Sequence, residues 1–318
     1  MSFGLHSAVH PFGPQAARIA AVWWLMFWVS AAVFVLVVAF LLGAVFRSPS
    51  SRERSAAGGG GQKRMGAVVG GAAIATAVIL VGFLVVDVSA GRALVTAPAP
   101  PPLSIQVVGH QWWWEVHYPD PVASQAITTA NEIHIPIGRP VEFDLASRDV
   151  IHSFWAPSLH GKKDLIPGHG SRLLVQADQP GTFHGQCAEF CGLQHANMGF
   201  LVVAQPEDEF QAWQAAQRQP APVPADAVLA RGQQVFLSVP CAMCHSVQGT
   251  PAWGQNGPDL THVASRRLLA AGTMANTSEN MSRWIADPHH LKPGTKMPPT
   301  ALEPSDLQAL TAYMESLK

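Results

Sequence analysis

Between Arg18 and Arg47 the chain runs for 28 residues without a charged side chain, and between Arg64 and Asp87 for another 22. At about 1.5 Å per helical residue the shorter stretch reaches about 33 Å, enough for a hydrocarbon core of about 30 Å. Buried core helices rarely run this long without a charge. A cleavable signal peptide fits the first stretch poorly, because no basic segment precedes it and its apolar part is too long. The two stretches therefore predict membrane-spanning helices over residues 18–46 and 65–90. Charged residues make up 13% of the chain, about half the share usual in soluble proteins, which excludes a disordered chain, a coiled coil and an ordinary cytosolic enzyme. The loop at 47–64 carries Arg47, Arg52, Arg54, Lys63 and Arg64 against Glu53 alone. The excess of basic residues assigns this loop to the cytoplasm. The tail at 1–17 and everything after residue 90 then lie outside, in the periplasm of a Gram-negative cell. Gly66, Gly70 and Gly71, with Ala67 and Ala75, give the second span a small-residue face that another helix can approach closely. A formal charge of −1 gives no general case for nucleic acid as a partner.

Beyond the spans the texture changes three times. Residues 91–103 hold Pro98 to Pro102 and read as a stiff spacer. Residues 104–205 break into short strand-like runs: Ile105–Val108, Trp112–Val116, Glu132–Ile135, Val141–Leu145, Leu173–Ala177 and Phe200–Val203. Val141, Phe143 and Leu145 alternate with Glu142 and Asp144, the pattern of a half-buried strand, so an all-β sandwich or barrel is expected. Residues 206–225 are polar, with Pro220, Pro222 and Pro224, and read as a second linker. From 226 to 318 the pattern is helical, with helices near Ala227–Phe236, Ser278–Ala286 and Asp306–Leu317.

The four cysteines sit in two tight pairs, too few for a disulfide scaffold in a chain of 318 residues. Cys187 and Cys191 are followed by His195 and Met198, and His152 lies upstream. Two thiolates, an imidazole and a thioether on one short loop are soft donors that suit copper in an electron carrier. Two sulfurs can bridge two copper ions, letting one electron spread over both. Zinc, a Cys187–Cys191 disulfide and a thioredoxin-like copper chaperone are the other readings these residues allow. Cys241-Ala-Met-Cys244-His245 has the spacing for thioether attachment of a c-type haem, with His245 as the proximal iron ligand.

The stretches Gly109-His-Gln-Trp-Trp-Trp-Glu115, Asp149-Val-Ile-His152-Ser-Phe-Trp-Ala-Pro157 and Cys187 to Met198 resemble subunit II of haem–copper cytochrome c oxidases. The likeness covers roughly residues 15–204 and includes the order of two helices before a cupredoxin-like domain. It implies a binuclear CuA centre with both thiolates bridging. His152 and Met198 would complete one copper, His195 and the Glu189 carbonyl the other. The same resemblance makes Trp112 the aromatic at which electrons enter and the Glu189 side chain a candidate magnesium ligand facing subunit I. Asp149 is placed to orient the His152 imidazole. Residues 226–318 resemble a class I cytochrome c, whose distal methionine lies in a loop such as Lys292-Pro-Gly-Thr-Lys-Met297-Pro-Pro299, so Met297 is the expected sixth ligand. Met274 and Met281 are the other candidates. Gly232 and Phe236 match the family's first-helix contact with the last helix, here Leu310 and Tyr313. Pro258 matches the loop under the haem, and Arg266 and Trp284 are possible propionate partners. One departure stands out: the family often has a glutamate near the start of the second span, whereas here Glu53 lies well before it.

The resemblance thus implies subunit II of a proton-translocating, dioxygen-reducing oxidase in a bacterial inner (plasma) membrane. Its partners would be subunit I, which holds the dioxygen chemistry, subunit III, and an external cytochrome c or reductase complex. The alternative is a stand-alone membrane-anchored electron carrier or copper-delivery protein. Residues 104–205 carry five Lys/Arg against nine Asp/Glu, whereas 226–318 carry seven of each. An acidic copper domain can steer a basic donor, and a tethered haem domain is such a donor at high local concentration.

Overall fold

A computed structural model describes residues 6–47, 60–94 and 103–318. Two long helices, α1 (Pro14–Val45) and α2 (Gly60–Leu94), contain the uncharged stretches. Their large apolar side chains point outward; Phe34, Leu36 and Phe40 on α1 and Val68 and Ile74 on α2 are all more than half exposed. Such side chains need a lipid solvent rather than a protein core. Most of the expected basic loop and the Pro98–Pro102 spacer lie outside the described residues.

The second unit begins with residues 6–16. Phe12 donates its N–H to the Ser158 carbonyl and accepts from the Asp178 N–H, both at 2.8 Å, which ties this segment to the β domain. That domain is two five-stranded sheets packed face to face. One runs β3 (Ile127–Ala130), β2 (Trp113–Tyr118), β1 (Leu103–His110), β5 (Val141–Ser147), β8 (Ser171–Val175). The other runs β4 (Glu132–Pro136), β10 (Gly199–Gln205), β9 (Gly181–Cys187), β6 (His152–Trp155), β7 (Lys163–Leu165). β5 alternates as its sequence predicts, with Val141, Phe143 and Leu145 buried. Between the sheets Trp114, Phe143, Phe154, Phe183 and Phe200 form an aromatic core, with the Phe154 and Phe200 rings stacked at 4.2 Å.

The expected linker from 206 is a helix over its first half, α3 (Glu207–Gln217). Glu207, Asp208 and Glu209 in its first turn complement the helix dipole. Phe210 is buried against the sandwich, and Trp213 stacks on His134 at 4.3 Å. An apolar stripe of two side chains in eleven residues is too thin to be read from periodicity, and only contact with the sheet reveals it.

The C-terminal domain is helical: α4 (Ala227–Ser238), the single turn α5 (Cys241–Cys244), α6 (Ser278–Ala286), α7 (Pro288–Leu291) and α8 (Pro304–Ser316). Asp226 caps α4, its carboxylate accepting from the Val228 and Leu229 N–H groups at 2.9 Å. α4 crosses α8 at Gly232, where a Cβ would lie 2.1 Å from the Ala309 carbonyl oxygen and 2.6 Å from the Tyr313 Cβ. Phe236 and Tyr313 pack beside that crossing with ring centres 6.2 Å apart, as the family resemblance implies. A small hairpin, Leu268–Leu269 with Met274–Ala275, is an addition the sequence does not announce.

Candidate functional site

The thiol loop leaves β9 at Cys187 and returns at β10, so two strands fix its ends. The Cys187 and Cys191 sulfurs lie 3.7 Å apart, well beyond the roughly 2.05 Å of a disulfide. His152, first residue of β6, brings its Nδ1 to 3.9 Å from the Cys187 sulfur. His195 places Nδ1 at 3.7 Å and Met198 its Sδ at 3.8 Å from the Cys191 sulfur. The Glu189 carbonyl oxygen lies 3.2 Å from the Cys187 sulfur. Every donor expected from the sequence therefore converges on one pocket, in which His152, Cys187, Cys191 and Met198 are buried. A donor set of two thiols, two imidazoles, a thioether and a carbonyl fits copper far better than a four-ligand zinc site.

Asp149 orients His152 as expected. Its carboxylate lies 2.9 Å from His152 Nε2, so Nε2 carries the proton and Nδ1 is left to face the sulfurs. Burial pushes the Asp149 carboxyl up, but hydrogen bonds from His152 and from the Gln111 and Val150 N–H groups hold it well below the usual carboxylate range. In the thiol pair the Cys191 sulfhydryl and then, against burial, His152 hold Cys187 below the usual thiol value, while Cys187 and then burial push Cys191 upward.

Behind the loop stands the tryptophan run, whose members do different work. Trp112 donates its indole N–H to the Cys191 carbonyl at 3.0 Å, beside the Gln111 side-chain amide at 2.8 Å. Trp113 stacks on His110 at 4.3 Å. Trp114 is fully buried and meets the His152 ring at 6.0 Å. Sequence reasoning singled out Trp112 but not Gln111 or Trp114. Alternation along β2 was the available signal, since it sends Trp114 inward. The Glu189 carboxylate turns away from the sulfurs toward Lys162, 3.4 Å from its ammonium.

A cavity of about 1090 Å³ holds Cys241, Cys244, His245, Arg266, Trp284 and Met297 in its wall. The residues fit a haem. His245 Nδ1 donates to the Pro258 carbonyl at 2.7 Å, leaving Nε2 free to bind iron. Burial keeps this imidazole below its ordinary value. A Cβ on Gly257 would lie 2.6 Å from the His245 ring, so only glycine permits that approach. Arg266 donates to the Asp259 carbonyl at 2.5 Å, while its buried Nε has no partner, the condition of a cation awaiting an anionic group such as a propionate. Met281 belongs to the helical core, and Met274 lies in the small hairpin.

The family model for the periplasmic domain of cytochrome c oxidase subunit II matches residues 103–205, and the cytochrome c model matches 229–318. Cytochrome c oxidase subunit 2 of Alkalihalophilus pseudofirmus is 37% identical over 248 residues, 76% of this chain and 70% of the relative. Its counterpart from Bacillus sp. strain PS3 is 36% identical over 226 residues, 67% of this chain and 62% of the relative. The crystal structure of the periplasmic domain of subunit II of cytochrome oxidase from Bradyrhizobium japonicum aligns at 28% identity and a TM-score of 0.35, covering 39% of this chain and 96% of that one. The chain therefore belongs to the cytochrome c oxidase subunit 2 family, with two apolar helices before its cupredoxin-like domain and a cytochrome c domain after it.

Proposed function

We propose that this chain is the electron-relaying subunit of a respiratory cytochrome c oxidase, taking electrons at the cytochrome c domain and passing them by way of the copper domain to subunit I. Haem c and CuA would supply the redox chemistry, each cycling by one electron without bond rearrangement. Cys241 and Cys244 would anchor the haem, and His245 and Met297 would hold its iron. Cys187, Cys191, His152, Met198, His195 and the Glu189 carbonyl would hold the copper ions. Asp149 holds one imidazole in its tautomer, and the aromatic core behind it excludes water. The Glu189 carboxylate is the candidate magnesium ligand at the face toward subunit I, and a metal ion there would have to displace the Lys162 ammonium that lies 3.4 Å from it.

One observation carries this reading: Trp112 lines the same cavity as Cys241, Cys244, His245 and Met297, and its N–H reaches the Cys191 carbonyl at 3.0 Å. One residue thus lines the cavity of the candidate haem site and hydrogen-bonds the loop of the candidate copper site. Phe12, just before the first apolar helix, and Ala16 in its first turn hydrogen-bond to the domain that follows the second. That arrangement supports an even number of membrane crossings with both ends on the periplasmic side.

The test is a near-infrared and electron paramagnetic resonance spectrum of the full chain loaded with copper and haem. A mixed-valence dicopper signal beside a low-spin, thioether-linked haem is expected, and Cys191→Ser should abolish the first while sparing the second. A chain that binds one zinc ion, or carries no covalent haem, refutes the reading.

A further inference from the structure

Lys292 has no part in the roles described so far, yet it is only 2% exposed. Its ammonium donates to three carbonyl oxygens, those of Trp112 at 2.9 Å, Asn197 at 2.6 Å and Ala270 at 3.0 Å. Trp112 and Asn197 belong to the copper domain; Ala270 and Lys292 itself belong to the cytochrome domain. Three N–H donors meet three acceptors, so the cation is fully satisfied. Burial pushes its pKa down to about 7 against the opposing pull of Cys191, as expected where a charge is taken out of water. No neutral side chain brings three donors to one point, and the planar fork of arginine does not match this tripod. Ala270 and Ala271 both adopt left-handed backbone, with φ of 51° and 57°. That unfavourable turn directs the Ala270 carbonyl at Lys292 and the Ala271 carbonyl at the Gly199 N–H, 2.8 Å away.

Lys292 also opens the loop that ends at Met297, and the ties continue along it. The Gln194 side-chain amide donates to the Pro293 carbonyl at 2.8 Å, and Lys296 pairs with Asp149 at 3.3 Å. Any side chain on Gly294, whose φ is +80°, would meet Leu193 at 2.8 Å. Charge favours the contact: the copper domain has five basic against nine acidic residues. Lys292 and Lys296 turn their ammonium groups toward it, and the Arg267 backbone N–H adds a neutral donor to the Glu132 carboxylate at 2.9 Å.

The structure assigns Lys292 as a positioning residue that clasps the loop carrying Met297 to the loop carrying Cys191, His195 and Met198. The spacing between the two candidate centres is then set by buried hydrogen bonds rather than by the tether around residues 218–225. The electron-transfer half of the test rests on the proposed function; the amide-exchange half does not.

Lys292→Met removes the three donors at similar volume. In the full chain, backbone amides of 192–198 and 294–297 should exchange faster together, by about tenfold or more, with α4, α8 and the sandwich core unchanged. In the assembled oxidase, haem-to-copper transfer should slow by about tenfold or more while both centres keep their spectra and midpoint potentials. Thr182→Val removes another tie on the same interface, the 2.6 Å bond from Arg267 Nη1, and should leave both readouts at the wild-type level. If Lys292→Met does not fold, Lys292→Arg keeps the charge without the tripod and carries the same expectations. Wild-type exchange in both loops would overturn the assignment, and so would a Thr182→Val variant as slow as Lys292→Met. A wild-type chain without a dicopper signal would instead refute the proposed function and leave the exchange result standing.

Discussion

Gly109 gives a direct way to disturb the copper pocket through a residue that ligates nothing. A Cβ built there would lie 2.8 Å from Cδ2, 3.0 Å from Cγ and 3.3 Å from Cβ of His152. Ordinary carbon–carbon contact is about 3.5 Å or more, so Gly109→Ala asks the imidazole to move by about 0.7 Å. His152 is fully buried, with Trp114 against it and Asp149 holding Nε2 at 2.9 Å. A shift of that size stretches the carboxylate bond to about 3.6 Å, where it no longer counts as a hydrogen bond. Alanine gains about 0.5–1 kcal/mol over glycine in strand propensity, against an overpacking cost of about 1–3 kcal/mol plus the lost bond. A net destabilisation of about 1–3 kcal/mol is expected in denaturant unfolding, together with an altered copper spectrum on metal titration. Gly170→Ala is the matched control, because nothing lies within 4 Å of its added carbon. It should fall within about 0.5 kcal/mol of wild type. Equal stability and equal copper spectra for the two variants would refute the reasoning.

Two further outcomes follow from the packing and the charges. Gly232→Ala should destabilise the cytochrome domain by about 1–3 kcal/mol, since the obstructing atom at 2.1 Å is the Ala309 backbone oxygen and α8 must move away; unfolding followed at the haem band tests it against an unchanged copper-domain transition. The Glu115 carboxyl is pushed up by burial but held down to about 2, from 4.5, by hydrogen bonds from His110 and then His117. A lowered folded-state value means stability present above about pH 4.5 and lost as the pH falls toward 2. The wild type should therefore lose about 1–3 kcal/mol across that window relative to Glu115→Gln, and parallel acid-denaturation curves for the two would contradict it.

What could be read from the residues in order was whatever their spacing encodes. Uncharged runs gave the two apolar helices. Alternation gave β5, helical periodicity gave α8, and the two cysteine clusters gave the donor sets that the fold brings together. The uncharged runs, the alternation and the two cysteine motifs are local, so short windows of sequence suffice to find them; the distant ligands His152 and Met297 came from the family resemblance. α3 was hidden because two aromatic anchors make no periodic stripe, and β6 because four residues starting at a histidine carry no alternation to notice. Lys292 was invisible for a stronger reason. Its partners Trp112 and Asn197 lie 180 and 95 residues away in sequence. A lysine in a Pro-Gly loop looks like any solvated surface charge until folding surrounds it. The sequence by itself therefore determined which chemistry each domain can hold, because ligand spacing is a property of short segments. Only the tertiary structure decided how the two loops are joined, because a buried cation is defined by the acceptors that converge on it.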